Sequence, residues 1–138
     1  MLPYLAKRKG ITVFTCGLTN AMTASEYGIM TLCSGGRVRE STYSCDGPFA
    51  ERMMADIHVD YLFFSSRGLC EDGLVSHQSD LKCRLIQLML RQCRSSYLLC
   101  DNSKAGIIST FRICSADELT GVISDQPFPF EVPNLILP

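Results

Sequence analysis

Short apolar runs alternate along this chain with segments whose apolar residues recur every three or four positions, as strands feeding helices do. Ile11–Cys16 (ITVFTC) is β-branched and aromatic, which suits a buried strand, and Gly17 closes it. Helix-forming residues follow over Leu18–Ser25. Gly28–Cys33 (GIMTLC) then predicts a second buried strand, broken by Ser34-Gly35-Gly36. Arg37–Asp46 is polar with neither period, so irregular chain is expected there. Pro48 suits a first helical turn, after which Phe49, Met53 and Ile57 recur at spacings of four. Val59–Ser65 (VDYLFFS) predicts a third strand, ended by Arg67-Gly68.

Beyond a turn at Asp72-Gly73, Ser79 stands where an N-cap would open the longest helix, about Asp80–Arg94. Leu81, Leu85 and Leu88, with Ile86, Met89 and Leu90, give that helix a broad apolar face. Tyr97–Cys100, Thr110–Cys114 and Gly121–Ser124 predict three further strands, and Ser115–Leu119 (SADEL) predicts a capped helical turn. Strands alternating with helices imply an α/β fold, a Rossmann-like and mainly parallel sheet flanked by helices. Gln126–Pro138 holds four of the six prolines and is expected to be extended and loosely packed. Residues 1–125 are therefore read as one domain and 126–138 as a proline-rich tail.

Composition narrows the class. At 138 residues, 46% hydrophobic and 20% charged, the chain suits one globular domain with a real core. Its 13 basic and 14 acidic residues lack the cationic excess of a DNA-binding surface. The basic cluster Lys7-Arg8-Lys9 reads as a solvated helix end facing the macrodipole. Eight cysteines would suggest a disulfide framework in a short secreted chain. Here no C-x-x-C pair occurs and most sit in apolar runs such as YLLC and FRIC, so buried thiols in a reducing cytoplasm are expected. Neither a signal peptide nor a run of transmembrane length is present. His58 and His77 have no cysteine or histidine at ligand spacing, so no metal is expected, and no cofactor is implied.

The candidate chemistry lies after the strands, where open α/β sheets bind ligands. Gly35, Gly36 and Arg37 follow the second strand, and Ser65, Ser66, Arg67 and Gly68 the third. Asp101, Ser103 and Lys104 follow the run Tyr97–Cys100. Glycines allow close backbone approach, hydroxyls donate, and Arg or Lys neutralises phosphate. That inventory suits a phosphorylated polyol. Glycines end strands in many α/β proteins, so the pattern alone leaves a ligand site and ordinary turns both open.

Six segments, TVFTCGLTNAM, LCSGGRVRESTYSCDGPFAERMM, VDYLFFSSRGL, EDGLVS, YLLCDNSKAG and VISD, resemble in order the C-terminal sensor domain of DeoR-type bacterial transcriptional repressors, over about residues 5–125. The resemblance implies a fold like ribose-5-phosphate isomerase and glucosamine-6-phosphate deaminase. It also implies a cytoplasmic, homo-oligomeric partner of a phosphorylated sugar effector, with no membrane role. Matched positions are the paired glycines Gly35-Gly36, the strand-opening Asp60, the loop glycines Gly68 and Gly73, and the helix lysine Lys82. The D-x-S-K turn Asp101, Ser103 and Lys104 and the terminal Asp125 complete the set. In such proteins the paired glycines and the D-x-S-K turn border the sugar-phosphate pocket. Asp60, Lys82 and Asp125 read equally well as a loop-binding carboxylate, a solvated helix residue and a turn cap.

The chain departs from that pattern in three ways. Family members begin with a winged helix-turn-helix, then a strand and a Gly-Thr-Thr phosphate loop, and neither matches here. DNA contact is therefore expected only through a helix-turn-helix outside these residues. Cys16 stands where the family has asparagine, and the tail replaces a final helix and strand. The leading expectation is a non-catalytic, effector-binding sensor module. The alternatives are an isomerase or deaminase-like enzyme of the same fold, or a degenerate fragment that binds nothing. The enzyme needs a carboxylate base facing the sugar. Arg67 lies nearest the third strand end, which favours holding a ligand over taking a proton.

Overall fold

The computed structural model describes all residues, Met1–Pro138. Two compact units divide the chain, residues 1–56 and 57–138.

The first unit opens with the short helix α1 (Leu2–Leu5), after which Lys7-Arg8-Lys9 is exposed. A β–α–β crossover follows: β1 (Thr12–Thr15), α2 (Leu18–Glu26) and β2 (Met30–Cys33). The two strands pair in parallel, from Thr12 opposite Met30 to Thr15 opposite Cys33. Arg37–Asp46 is not irregular. It folds into an antiparallel hairpin of β3 (Arg37–Arg39) and β4 (Ser44–Asp46), with Arg37 opposite Asp46. Polar strands of three residues are too short to show a period, and opposite charges across the ladder hold this pair. Helix α3 (Pro48–Ala55) begins at the proline and buries Ala50 and Met54.

The second unit holds the main core. Its four-stranded sheet runs in the order β11-β10-β8-β5, all parallel, from β5 (Val59–Ser65), β8 (Cys93–Leu99), β10 (Gly121–Ile123) and β11 (Leu135–Ile136). Helix α4 (Asp80–Arg91) opens at Ser79, whose Oγ accepts from the Lys82 amide, and buries Cys83, Leu85, Ile86 and Met89. It stops three residues short of the expected Arg94, because Cys93 already pairs with Val59 in the sheet. The strand near Thr110 also differs from expectation. As β9 (Phe111–Ser115) it joins β6 (Gly68–Leu69) and β7 (Leu74–His77) in a separate antiparallel sheet.

The tail is not loosely packed. Phe128 is 8% exposed in the core with Phe64, Leu98 and Val122, and Phe130, Val132 and Leu135 pack against it. Strand β11 pairs with β10, its backbone supported by bonds from the Val122 amide to Asn134 O and from the Ser124 amide to Ile136 O. Prolines suit such an edge, where half of the amide positions face no partner.

Candidate functional site

In the second unit, three neighbouring parallel strands end in polar residues: β5 in Ser65-Ser66-Arg67, β8 in Cys100-Asp101, and β10 in Ser124-Asp125. After β8 the chain makes one 3-10 turn, Asn102–Lys104. Asp101 organises it. Its Oδ1 accepts from the Ser103 amide at 3.2 Å and from the Ser103 hydroxyl, while its Oδ2 lies 3.0 Å from Lys104 Nζ. Lys104 Nζ also donates to Ser65 Oγ at 3.2 Å, joining the ends of β5 and β8. The hydroxyl bond from Ser103, and next the bond from Lys104, lower the Asp101 carboxyl to a pKa of about 2. Asp125 accepts from the Asn102 amide at 2.9 Å, and the Asn102 side chain bonds Pro127 O, so β10 and the tail anchor the same turn.

Behind this surface Ser66 and Cys100 are buried, with Ser66 Oγ donating to Cys100 Sγ at 4.0 Å. Burial pushes the Cys100 thiol up, partly offset by Ser66 and Lys104. It is packing, with no nucleophilic character.

Gly68 has a packing reason as well. A Cβ there would stand 1.8 Å from Ile107 O, and the Gly106 amide donates to Leu69 O at 2.8 Å. The segment carrying Lys104 thus lies directly on β6. Arg67 is exposed and makes no ion pair.

Of the expected site residues in this unit, Arg67, Gly68, Asp101, Ser103 and Lys104 gather at one end of the sheet. Asp60 does not. It lies at the amino end of β5, about 16 Å of strand away from Ser65. There it lines an open depression with His58, Arg91 and Arg94. A second depression, between Asp72, Asp117 and Glu131, is acidic and unsuited to phosphate. Ser65 was part of the strand-end pattern but its lysine partner was not legible, because a contact across 39 positions leaves no local signal.

In the first unit, Gly36 has φ +105° and a Cβ there would stand 2.8 Å from Asp46 O, so only glycine fits where β3 begins. Arg37 does not reach out alone. Asp46, 4% exposed, accepts from Arg37 Nε at 3.3 Å and from Arg39 Nε and Nη2 at 3.0 and 2.6 Å. Both guanidiniums are thus drawn onto one buried carboxylate, and with Glu40 in the loop the hairpin carries no net charge. Sequence reasoning missed Asp46 and Arg39 because it missed the hairpin; the R-x-R and C-D segments were the available signal.

No group of three or more His, Cys, Asp or Glu side chains converges to hold a metal, and no helix is long and apolar enough to cross a membrane. At least one strand separates every two successive α-helices, so these residues contain no helix-turn-helix.

A family model described as the DeoR C terminal sensor domain matches residues 1–126. The chain is 28% identical over 121 residues to the HTH-type transcriptional regulator GolR of Listeria innocua, covering 84% of this chain and 46% of that protein. It is 24% identical over 127 residues to the L-fucose operon activator of Haemophilus influenzae, covering 91% and 51%. To the lactose phosphotransferase system repressor of Staphylococcus epidermidis it is 31% identical over 92 residues, covering 67% and 36%. The chain spans about half the length, or less, of these curated relatives.

Proposed function

The chain belongs to the family of DeoR C-terminal sensor domains, and we propose on that premise that it binds a phosphorylated sugar and passes that signal to a transcriptional regulator of sugar metabolism. The observation that carries the reading is the family match across residues 1–126. Relatives named as an L-fucose operon activator and a lactose phosphotransferase system repressor support the reading that the regulated genes concern sugars. They include an activator and a repressor, so the sensor reading holds for either sign of control.

The polar strand ends support the ligand class. A carboxylate, an ammonium group and two hydroxyls meet at the carboxyl edge of a parallel sheet, where this architecture binds small polar molecules, and the exposed Arg67 follows Ser65 by two residues. Asp101, the carboxylate at hand, is held ionised by Ser103 and Lys104 with a pKa of about 2, too weak a base to take a carbon-bound proton near neutral pH. A weak base at the turn suits a binding module better than an isomerase, and in this reading contact with DNA is made through a helix-turn-helix elsewhere in the regulator.

Calorimetric titration with hexose, pentose and tagatose monophosphates, beside the unphosphorylated sugars and an aldose–ketose interconversion assay, tests this reading. Saturable binding of a sugar phosphate without interconversion is expected. Turnover would replace the sensor with an enzyme, and no binding at millimolar concentration would remove the ligand altogether.

A further inference from the structure

Two of the three cations that the sequence offered for phosphate are already committed to carboxylates. Lys104 pairs with Asp101, and Arg37 pairs with the buried Asp46. In the second unit the turn Asp101–Lys104 is electrically neutral, and Asp125 beside it adds a negative charge on Asn102. A phosphate dianion arriving at Lys104 would meet the Asp101 carboxylate 3.0 Å from the ammonium, so like charges would oppose it. A neutral hydroxyl meets no such penalty. It donates to an Asp101 oxygen or to Ser103 Oγ and accepts from Lys104 or from the Ser65 hydroxyl, the ambivalent set that polyols satisfy.

The remaining cation in this cluster is Arg67. It follows Ser65 by two residues, at most about 7 Å of chain. Its guanidinium is exposed and pairs with no carboxylate. Its backbone is nonetheless fixed, since its amide donates to Ser76 O at 2.9 Å and Gly68 beside it is clamped on Ile107. A fork of donors on an anchored backbone suits a phosphate bound in two-point fashion.

We propose that the site divides its ligand: Arg67 holds the phosphate, and the neutral turn of Asp101, Ser103 and Lys104, with Ser65, reads the sugar hydroxyls and sets which sugar is accepted. This rests on the sugar-phosphate reading above. The turn then decides between sugar isomers, while Arg67 decides between phosphorylated and free sugar.

Titrations on the full chain test the division, with a sugar monophosphate and inorganic phosphate as separate probes. Arg67→Ala is expected to weaken both probes by roughly tenfold or more, the loss of one charge-assisted contact. Lys104→Met is expected to weaken the sugar phosphate by a similar factor and to leave inorganic phosphate unchanged. Asp101→Asn, which frees the ammonium, is expected to strengthen inorganic phosphate. Melting curves of each variant, with Lys104→Arg as a more conservative second, separate lost binding from lost folding. Loss of inorganic phosphate in Lys104→Met but not in Arg67→Ala overturns the division while leaving the sensor reading intact. Absence of sugar-phosphate binding in the unaltered chain defeats the sensor reading, and this inference with it.

Discussion

Single residues here act mainly by fixing backbone. Gly68 is the sharpest case: any side chain would collide with the Ile107 carbonyl, and the 101–107 segment is held on β6 by that approach. Gly68→Ala is expected to destabilise the protein by on the order of 3 kcal/mol, by the strain of an overpacked backbone contact. Urea unfolding measures it, and a loss below about 0.5 kcal/mol, ordinary for a surface change, would show that the segment can move aside. Asp101 makes a prediction about acid. Its folded pKa of about 2 lies below the unfolded value near 4. The ionised carboxylate therefore stabilises the turn fully above about pH 4, and that contribution is lost as pH falls toward about 2. A carboxyl NMR titration of Asp101 is expected to show its midpoint in that lower range, together with release of the Ser103 amide. A midpoint at the ordinary aspartate value would mean that the turn is open in solution.

At the scale of elements, the longest helix was legible because its signals agree: Ser79 caps it, and apolar residues at spacings of three and four bury one face. The strands β1, β2 and β5 were legible as apolar runs bounded by glycine or polar turns. What escaped were elements defined by partners. The hairpin β3–β4 is charged and short, β6 has two residues, and β9 takes its antiparallel direction from β7, far away in sequence. The tail misled for another reason. Its four prolines argue against helix, but they do not argue against packing, and the aromatic Phe128 between two of them enters the core. Phe128→Ala is expected to cost about 3 kcal/mol as a core truncation. A thermal melt checks this, and an unchanged midpoint would return the tail to the solvent.

Across the whole molecule, the candidate site was only half legible. The residue types at the strand ends were readable, because the architecture dictates where strands stop. Which carboxylate neutralises which cation was not, since Asp46 and Asp101 act through geometry that spacing does not encode. The same holds for surfaces. In the second unit β5 has β8 on one side and no strand on the other, a seven-residue edge. Its outer face carries Tyr61, 63% exposed, and Phe63, stacked on Tyr97 at a ring separation of 5.4 Å. An edge of that length with aromatic neighbours offers unpaired amides and apolar area together, the combination that recruits another strand. Asp60 is the only charge on the strand to oppose it. The chain is therefore expected to self-associate, with a light-scattering mass that climbs with concentration during size-exclusion chromatography. Tyr61→Lys places a second charge on the edge and is expected to shift the protein toward monomer while leaving its melting curve little changed. A monomer at every concentration in the unaltered chain would show that this edge is already protected in solution.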